Sequence, residues 1–227
     1  MTASTDRSLL IARILNIAGL AGLLLVLSGS MDLQFGFDEA PCPLCLIQRS
    51  GMIGLAIGPI MNLLWGMRPA HYAVSILAAV VGGAGSVRQI LLHIADPNDP
   101  GYGPAVFGFH LYTWAFITFV IAVVGCAVML LWQAPFAAGD HGGLHSPSPW
   151  RTIGLIAIVW ITLDTVIMGL SVLPQCGLGM CPDNPEKQWG LGSVGGLLFI
   201  ALLAGISALV AVLLERAIDR RDGATRA

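Results

Sequence analysis

Charge is what this chain has least of. Lys, Arg, Asp and Glu together make up 11% of its 227 residues, against roughly 25% in soluble domains. So few charges cannot cover a water-facing surface. Hydrophobic residues reach 56% and the mean hydropathy is +0.81, so the chain is read as an integral membrane protein. A net charge of −2 provides no cationic surface for nucleic acid. No internal repeat is convincing, and the length fits one integral domain spanning 1–227. Cysteine is scarce, with five in all. Four of them fall in two close pairs, Cys42 with Cys45 and Cys176 with Cys181.

What the chain does have is long apolar runs. A membrane-spanning helix takes about 20 mostly apolar residues. Six such runs occur, at roughly 9–29, 46–66, 71–93, 111–133, 151–173 and 192–214, predicting an all-α polytopic bundle. The first resembles a signal peptide near Val26-Leu27-Ser28, but its apolar run is long and contains Arg13, so it is read as a retained helix. Gly, at 28 residues, suits helices packed closely through small side chains.

Basic residues set the orientation. Arg7, Arg13, Arg68, Arg151, Arg216, Arg220, Arg221 and Arg226 fall on the side of the two termini, and only Arg49, Arg88 and Lys187 fall on the other. The positive-inside rule then places both termini in the cytoplasm. The acids Asp32, Asp38, Glu39, Asp96, Asp99, Asp183 and Glu186 lie outside, in agreement. Trp65, Trp114, Trp132, Trp150 and Trp189 fall at predicted helix ends, as an aromatic belt does, whereas Trp160 is expected inside the bundle. Both cysteine pairs therefore emerge on the outer, oxidising side, where disulfides persist. A zinc site built from all four cysteines is disfavoured there: no histidine flanks them, and the thiols tend to become disulfides.

Cys42-Pro43-Leu44-Cys45-Leu46-Ile47-Gln48-Arg49 is the most informative stretch. Pro43 suits the first turn of a helix, so the second helix is expected to start near Cys42, with both cysteines on its first turn. The positive helix end favours an anion there. Arg49 lies four residues after Cys45, one turn deeper on the same face. A permanent cation at that depth marks a site, and it lowers the pKa of a neighbouring thiol. The arrangement predicts a thiolate at Cys45. The second pair sits in Leu173-Pro174-Gln175-Cys176-Gly177-Leu178-Gly179-Met180-Cys181-Pro182-Asp183, read as an exposed loop able to close a small disulfide ring and exchange with a partner.

These residues, with Gly108-Phe109-His110-Leu111-Tyr112-Thr113-Trp114, resemble the DsbB family of quinone-dependent, disulfide-generating membrane proteins. The resemblance implies a membrane thiol oxidoreductase of the bacterial inner membrane. Its partner is a periplasmic DsbA-like, thioredoxin-fold dithiol protein, and its electron acceptor is ubiquinone or menaquinone from the membrane pool. It implies that Cys42 and Cys45 form the quinone-proximal pair, with Cys45 touching the quinone. Arg49 matches the arginine that assists quinone binding, and Cys176 and Cys181 match the partner-facing pair by role. The better-known members have four spanning helices, with the outer pair between the third and fourth and its cysteines further apart. Two other readings stand beside it: a vitamin-K-epoxide-reductase-like quinone reductase, whose Cys-x-x-Cys follows the other pair in sequence, and a small transporter with structural disulfides.

Further expectations concern isolated residues. Asp164 in the fifth helix and Arg88 in the third are expected to pair inside the bundle, since a lone buried charge is costly. His93 and His110 are read as hydrogen bonders at the outer boundary, and Cys126 as an inert buried residue. His141 and His145 belong to a plain linker over 134–149. Gly54, Gly58, Gly82, Gly83 and Gly85 are expected to let the second and third helices approach closely.

Overall fold

The computed structural model describes residues 3–95, 105–143, 148–177, 179, 181 and 191–226. The chain forms α1 (Ala3–Gly36), α2 (Pro43–Trp65), α3 (Pro69–Ala95), a hairpin of β1 (Ala105–Val106) and β2 (Phe109–His110), α4 (Leu111–Leu131), the short α5 (Ala134–Ala137), α6 (Pro149–Cys176) and α7 (Gly192–Arg226). Among the described residues, six helices are long and apolar enough to cross a membrane, as expected. They alternate in direction. One end of the bundle carries the cysteines, and the other carries both termini.

Several helices outrun their apolar cores. α1 continues to Gly36, and α6 runs through Pro174 to Cys176. Cys176 therefore ends a helix rather than sitting in the predicted loop. Of the tryptophans, Trp65 and Trp150 are exposed at the terminal end and Trp114 at the cysteine end, while Trp160 packs against the main core. Trp189 lies outside the described residues, as do Asp96, Asp99, His145, Asp183, Glu186 and Lys187.

α2 and α3 pack most closely, along a seam of small residues. A side chain at Gly51 would strike the Gly82 Cα at 2.6 Å, and one at Gly54 would strike Ala78 Cβ at 2.9 Å. One at Gly58 would collide with Ser75 Oγ and the His71 carbonyl. Pro59 lies inside α2 and has no N–H to give the carbonyl one turn back. Ser75 of α3 supplies the missing bond, its Oγ donating to the Leu55 oxygen at 2.8 Å. Neighbouring helices commonly re-satisfy such carbonyls in membranes.

The terminal end is fastened by Asp140. Its carboxylate accepts from Arg13 Nη2 at 2.6 Å, from the Met67 N–H at 3.3 Å and from the Gly142 N–H at 3.0 Å. Arg13 thus stays inside the first helix at low cost because a carboxylate meets it. Asp140→Ala strips three donors at once and is expected to lower stability by roughly 1–3 kcal/mol, read as a lower melting temperature in detergent.

α6 and α7 attach to the rest mainly through α1. Ser28 Oγ donates to Asp164 Oδ2 at 3.2 Å, Phe35 meets Phe199 with ring centroids 5.2 Å apart, and the Leu191 N–H donates to the Phe35 oxygen at 2.9 Å. At the terminal end, Arg151 bridges to Glu215 and Asp219. The expected Arg88–Asp164 pair does not form. Asp164 is fully buried against α1, whereas Arg88 is exposed on the flank of α3 beside Ala84, Val87, Leu91 and Leu92. α3 packs on α2 and α4 instead of α6. Arg88 lies near the cysteine end, where its long stem can carry the charge to the interface.

Candidate functional site

The site begins where the chain turns into α2. Cys42 is the N-cap, with extended backbone at φ −71° and ψ 163°, and Pro43 takes the first helical position. The Cys42 carbonyl accepts the first helical bond from the Leu46 N–H at 3.0 Å. Its sulfur accepts the Cys45 N–H at 3.1 Å. Cys42 and Cys45 are bridged, with Cα atoms 5.0 Å apart. The predicted helix start is correct, with one refinement: the free amide at the helix end serves the sulfur of Cys42, not that of Cys45.

Arg49 follows one turn deeper and is held by α1. Its Nη1 donates to Gln34 Oε1 at 2.6 Å, and its Nη2 donates to the Ser30 carbonyl at 2.9 Å. Buried around the bridge are two amides that the sequence reading passed over. Gln48 Nε2 donates to Gln89 Oε1 at 2.8 Å, and Gln89 Nε2 lies 3.4 Å from Cys42 Sγ and 3.9 Å from Cys45 Sγ. Two amides set in otherwise apolar helices, Gln48 and Gln89, were the available signal.

Cys45, Gln48, Arg49 and Gln89 line one side of a cavity of about 460 Å³. Leu25, Val26 and Leu33 of α1, Met52 of α2, and Tyr112, Trp114 and Ala115 of α4 form part of the remaining wall, which also carries Glu39 and Thr118. The size is within the range of about 300–1,000 Å³ typical of small-molecule sites, and the mix of apolar walls with a few converging polar groups is typical too. The β1–β2 hairpin borders the cavity through Val106 and Phe107. Its two-residue turn puts both Phe107 (φ 50°) and Gly108 (φ 82°) at positive φ, which right-twisted hairpins favour but a phenylalanine adopts at a cost. Trp114 Nε1 donates to the Val106 oxygen at 2.9 Å and pins the hairpin to α4. His93 and His110 meet edge-on at 5.0 Å, and His110 stacks on Tyr112 at 5.3 Å. Both histidines, expected at the outer boundary, thus pack by their rings at the cysteine end.

The second pair, Cys176 and Cys181, is also bridged, with Cα atoms 4.3 Å apart. It shares the cysteine end with the first pair. The chain returning from it is tied to the end of α1 at Phe35, and α7 then packs its Gly196 on Gly36. Cys126 is buried and unbridged, as expected. Among the described residues, no cluster of His, Cys, Asp and Glu could hold a metal ion.

Fold and site together define a polytopic membrane protein carrying two cysteine bridges at one end, one of them at the mouth of an apolar cavity. Residues 12–100 match the family model of disulfide bond formation protein DsbB. Over that segment, which holds α2, α3 and the Cys-x-x-Cys, the chain is similar to the DsbB family. A disulfide bond formation protein B from Burkholderia pseudomallei (strain 1106a) is 29% identical over 142 residues, covering 48% of this chain and 83% of its own. One from Haemophilus influenzae (strain 86-028NP) is 26% identical over 152 residues, covering 65% and 78%. Disulfide bond formation protein B 1 of Pseudomonas syringae pv. syringae (strain B728a) is 30% identical over 89 residues, covering 38% and 52%. No solved structure matches the chain.

Proposed function

We propose that this protein is a disulfide-generating oxidoreductase of the bacterial inner membrane that takes electrons from a periplasmic, DsbA-like dithiol partner and delivers them to membrane ubiquinone or menaquinone. The observation that carries the reading is the opening of the Cys45 and Arg49 side of α2 onto an apolar cavity. The whole chain, 1–227, acts as one integral domain with the cysteine end in the periplasm, in line with the excess of arginine at the terminal end.

A quinone head needs flat apolar walls and a donor for a carbonyl oxygen that gains negative charge. Tyr112, Trp114, Leu33 and Met52 supply the walls, and Arg49 supplies the donor. When bound, a quinone accepts two electrons and two protons. The residues of this chain do the rest. The partner's dithiol attacks the Cys176–Cys181 bridge by thiolate exchange, leaving the partner oxidised and this pair reduced. The reduced pair then opens Cys42–Cys45 in the same way. Cys42 and Cys45 finally give up two electrons as their bridge re-forms, and any proton still on their sulfurs leaves with them. Arg49, anchored at both ends of its guanidinium by Gln34 and Ser30, needs no reordering to meet developing charge.

The test combines the purified protein, a reduced periplasmic dithiol partner and a soluble short-chain quinone, with quinone absorbance as the readout. Steady bleaching of the quinone that needs both protein and partner is the expected result; none with intact wild type sinks the proposal. Arg49→Leu is expected to raise the KM for quinone by roughly ten- to a hundredfold, the loss of a charge-assisted contact of about 1.5–3 kcal/mol. Arg49→Lys, a point charge without the fork, recovers only part of it.

A further inference from the structure

The buried amides of Gln48 and Gln89 have no part in the relay just described. Their residues are 6% and 7% exposed, and side chains so enclosed are costly unless paired. Gln48 Nε2 donates to Gln89 Oε1 at 2.8 Å. That bond occupies the acceptor end of the Gln89 amide and turns its N–H donors toward the bridge. Nε2 is nearer Cys42 Sγ, at 3.4 Å, than Cys45 Sγ, at 3.9 Å. The Cys45 backbone N–H reaches the same Cys42 sulfur at 3.1 Å. Two donors therefore converge on one sulfur of the pair.

Neutral sulfur is a weak acceptor, so these donors gain little while the bridge is closed. A thiolate is a full anion, and hydrogen bonds to ions are about twice as strong as neutral ones. The arrangement fits the reduced pair better than the oxidised one. The cysteines also have separate company: Arg49 shares the cavity wall with Cys45, whereas Gln89 and the helix-end amide hold Cys42.

We propose that Gln89 is a catalytic residue of the exchange, its side-chain amide, oriented by Gln48, holding Cys42 as the thiolate of the reduced pair. The inference rests on the reading of Cys42–Cys45 as a redox pair. Once the reduced outer pair has opened the bridge, the Cys42–Cys45 S–S bond is broken, the Cys176–Cys181 S–S bond has formed, and Cys42 is left with an electron pair as a thiolate, its proton in solvent. When the bridge re-forms, the two sulfurs lose two electrons to the quinone. A bound quinone would supply the acceptor for those electrons and for two protons, drawn from solvent and from any proton still on Cys45. By stabilising the reduced form, Gln89 makes the bridge easier to reduce and so a stronger oxidant of the outer pair. Gln48 is a positioning residue that acts through Gln89.

The test uses full-length protein in detergent, with Cys176 and Cys181 replaced by serine and Cys126 by alanine, so that only the Cys42–Cys45 bridge reports. Equilibration with graded thiol–disulfide buffers is expected to show Gln89→Leu about tenfold harder to reduce, or about 30 mV more negative. Gln89→Glu, equal in shape but without donors, is expected to shift further because a carboxylate repels a thiolate. It carries the same test if the leucine variant fails to fold. With Cys45→Ser added, the Cys42 thiol is expected to rise by about one pKa unit on Gln89→Leu. With Cys42→Ser instead, the Cys45 thiol moves less. Gln48→Leu shifts the equilibrium the same way by a smaller factor. An unchanged equilibrium and unchanged thiol titration in a folded Gln89 variant overturn the proposal, as does a larger shift at Cys45 than at Cys42. Neither readout involves quinone, so a wild type that reduces no quinone sinks the proposed function while leaving this result readable.

Discussion

Serine in place of Cys45 is expected to end quinone reduction, with turnover falling roughly a thousandfold or more. In the proposed relay, electrons leave the inner pair two at a time, as two sulfurs join, and a hydroxyl cannot take part in that bond. The fold is expected to survive. The bridge closes a sequence separation of only 3, and the stabilisation from a disulfide is smallest for short loops. Pro43 and the Cys42 N-cap, which start α2, remain in place. A purely structural bridge predicts the reverse, a lower melting temperature as the main defect. Pairing the variant with a second one tests the order of the relay. In Cys176→Ser/Cys181→Ser protein, a small dithiol that reaches Cys45 directly still drives quinone reduction, and a folded protein partner no longer does. If the partner works equally well without the outer pair, the two-stage relay is wrong.

Alanine at Gly58 is expected to cost about 3 kcal/mol, a large share of the stability of a protein this size. In an open helix the same change stabilises, by about 1 kcal/mol from propensity alone. Here the added methyl group would meet Ser75 Oγ and the His71 carbonyl. The carbonyl belongs to helix backbone and cannot step aside without moving α3, and such overpacking costs about 1–3 kcal/mol. Displacing Ser75 also strips the Leu55 carbonyl, already deprived of its helical partner by Pro59, of its only replacement among the described contacts. A buried polar group left bare adds about 1–3 kcal/mol. Gly19→Ala and Gly125→Ala serve as controls, since nothing lies within 4 Å of a side chain at either position. Thermal melts in detergent decide: equal melting temperatures for Gly58→Ala and the controls overturn the packing argument.

The sequence revealed the parts of the fold that depend on composition and local chemistry. Twenty-residue apolar runs found the six spans, Pro43 found the start of α2, and Cys-x-x-Cys with Arg49 pointed to a stretch that lines a cavity. It failed where a helix that is apolar on all sides leaves its facing undetermined. Arg88 and Gln89 are neighbours in α3, about 100° apart around the axis. Only tertiary packing shows that the amide points inward and the guanidinium outward. The expected partner of Asp164 was wrong for the same reason, because spacing along a helix does not say which other helix lies opposite. The hairpin escaped notice because Phe107-Gly108 lacks the Asn or Asp that usually marks such a turn. Gln34 was hidden by the length of α1, which runs past its apolar core to Gly36.

That extra length gives α1 a mechanical role. On one side, at Ser30 and Gln34, it grips the guanidinium beside the cavity. On another, at Ser28, Phe35 and Gly36, it grips the two helices that carry the outer bridge and the chain beyond it. A helix is stiff along its axis over such a short stretch, so the two grips keep a fixed spacing. The α6–α7 pair and the anchor of Arg49 thus bear on the same helix. In the proposed relay, one helix therefore touches both ends of the electron route, with α1 as the shared post.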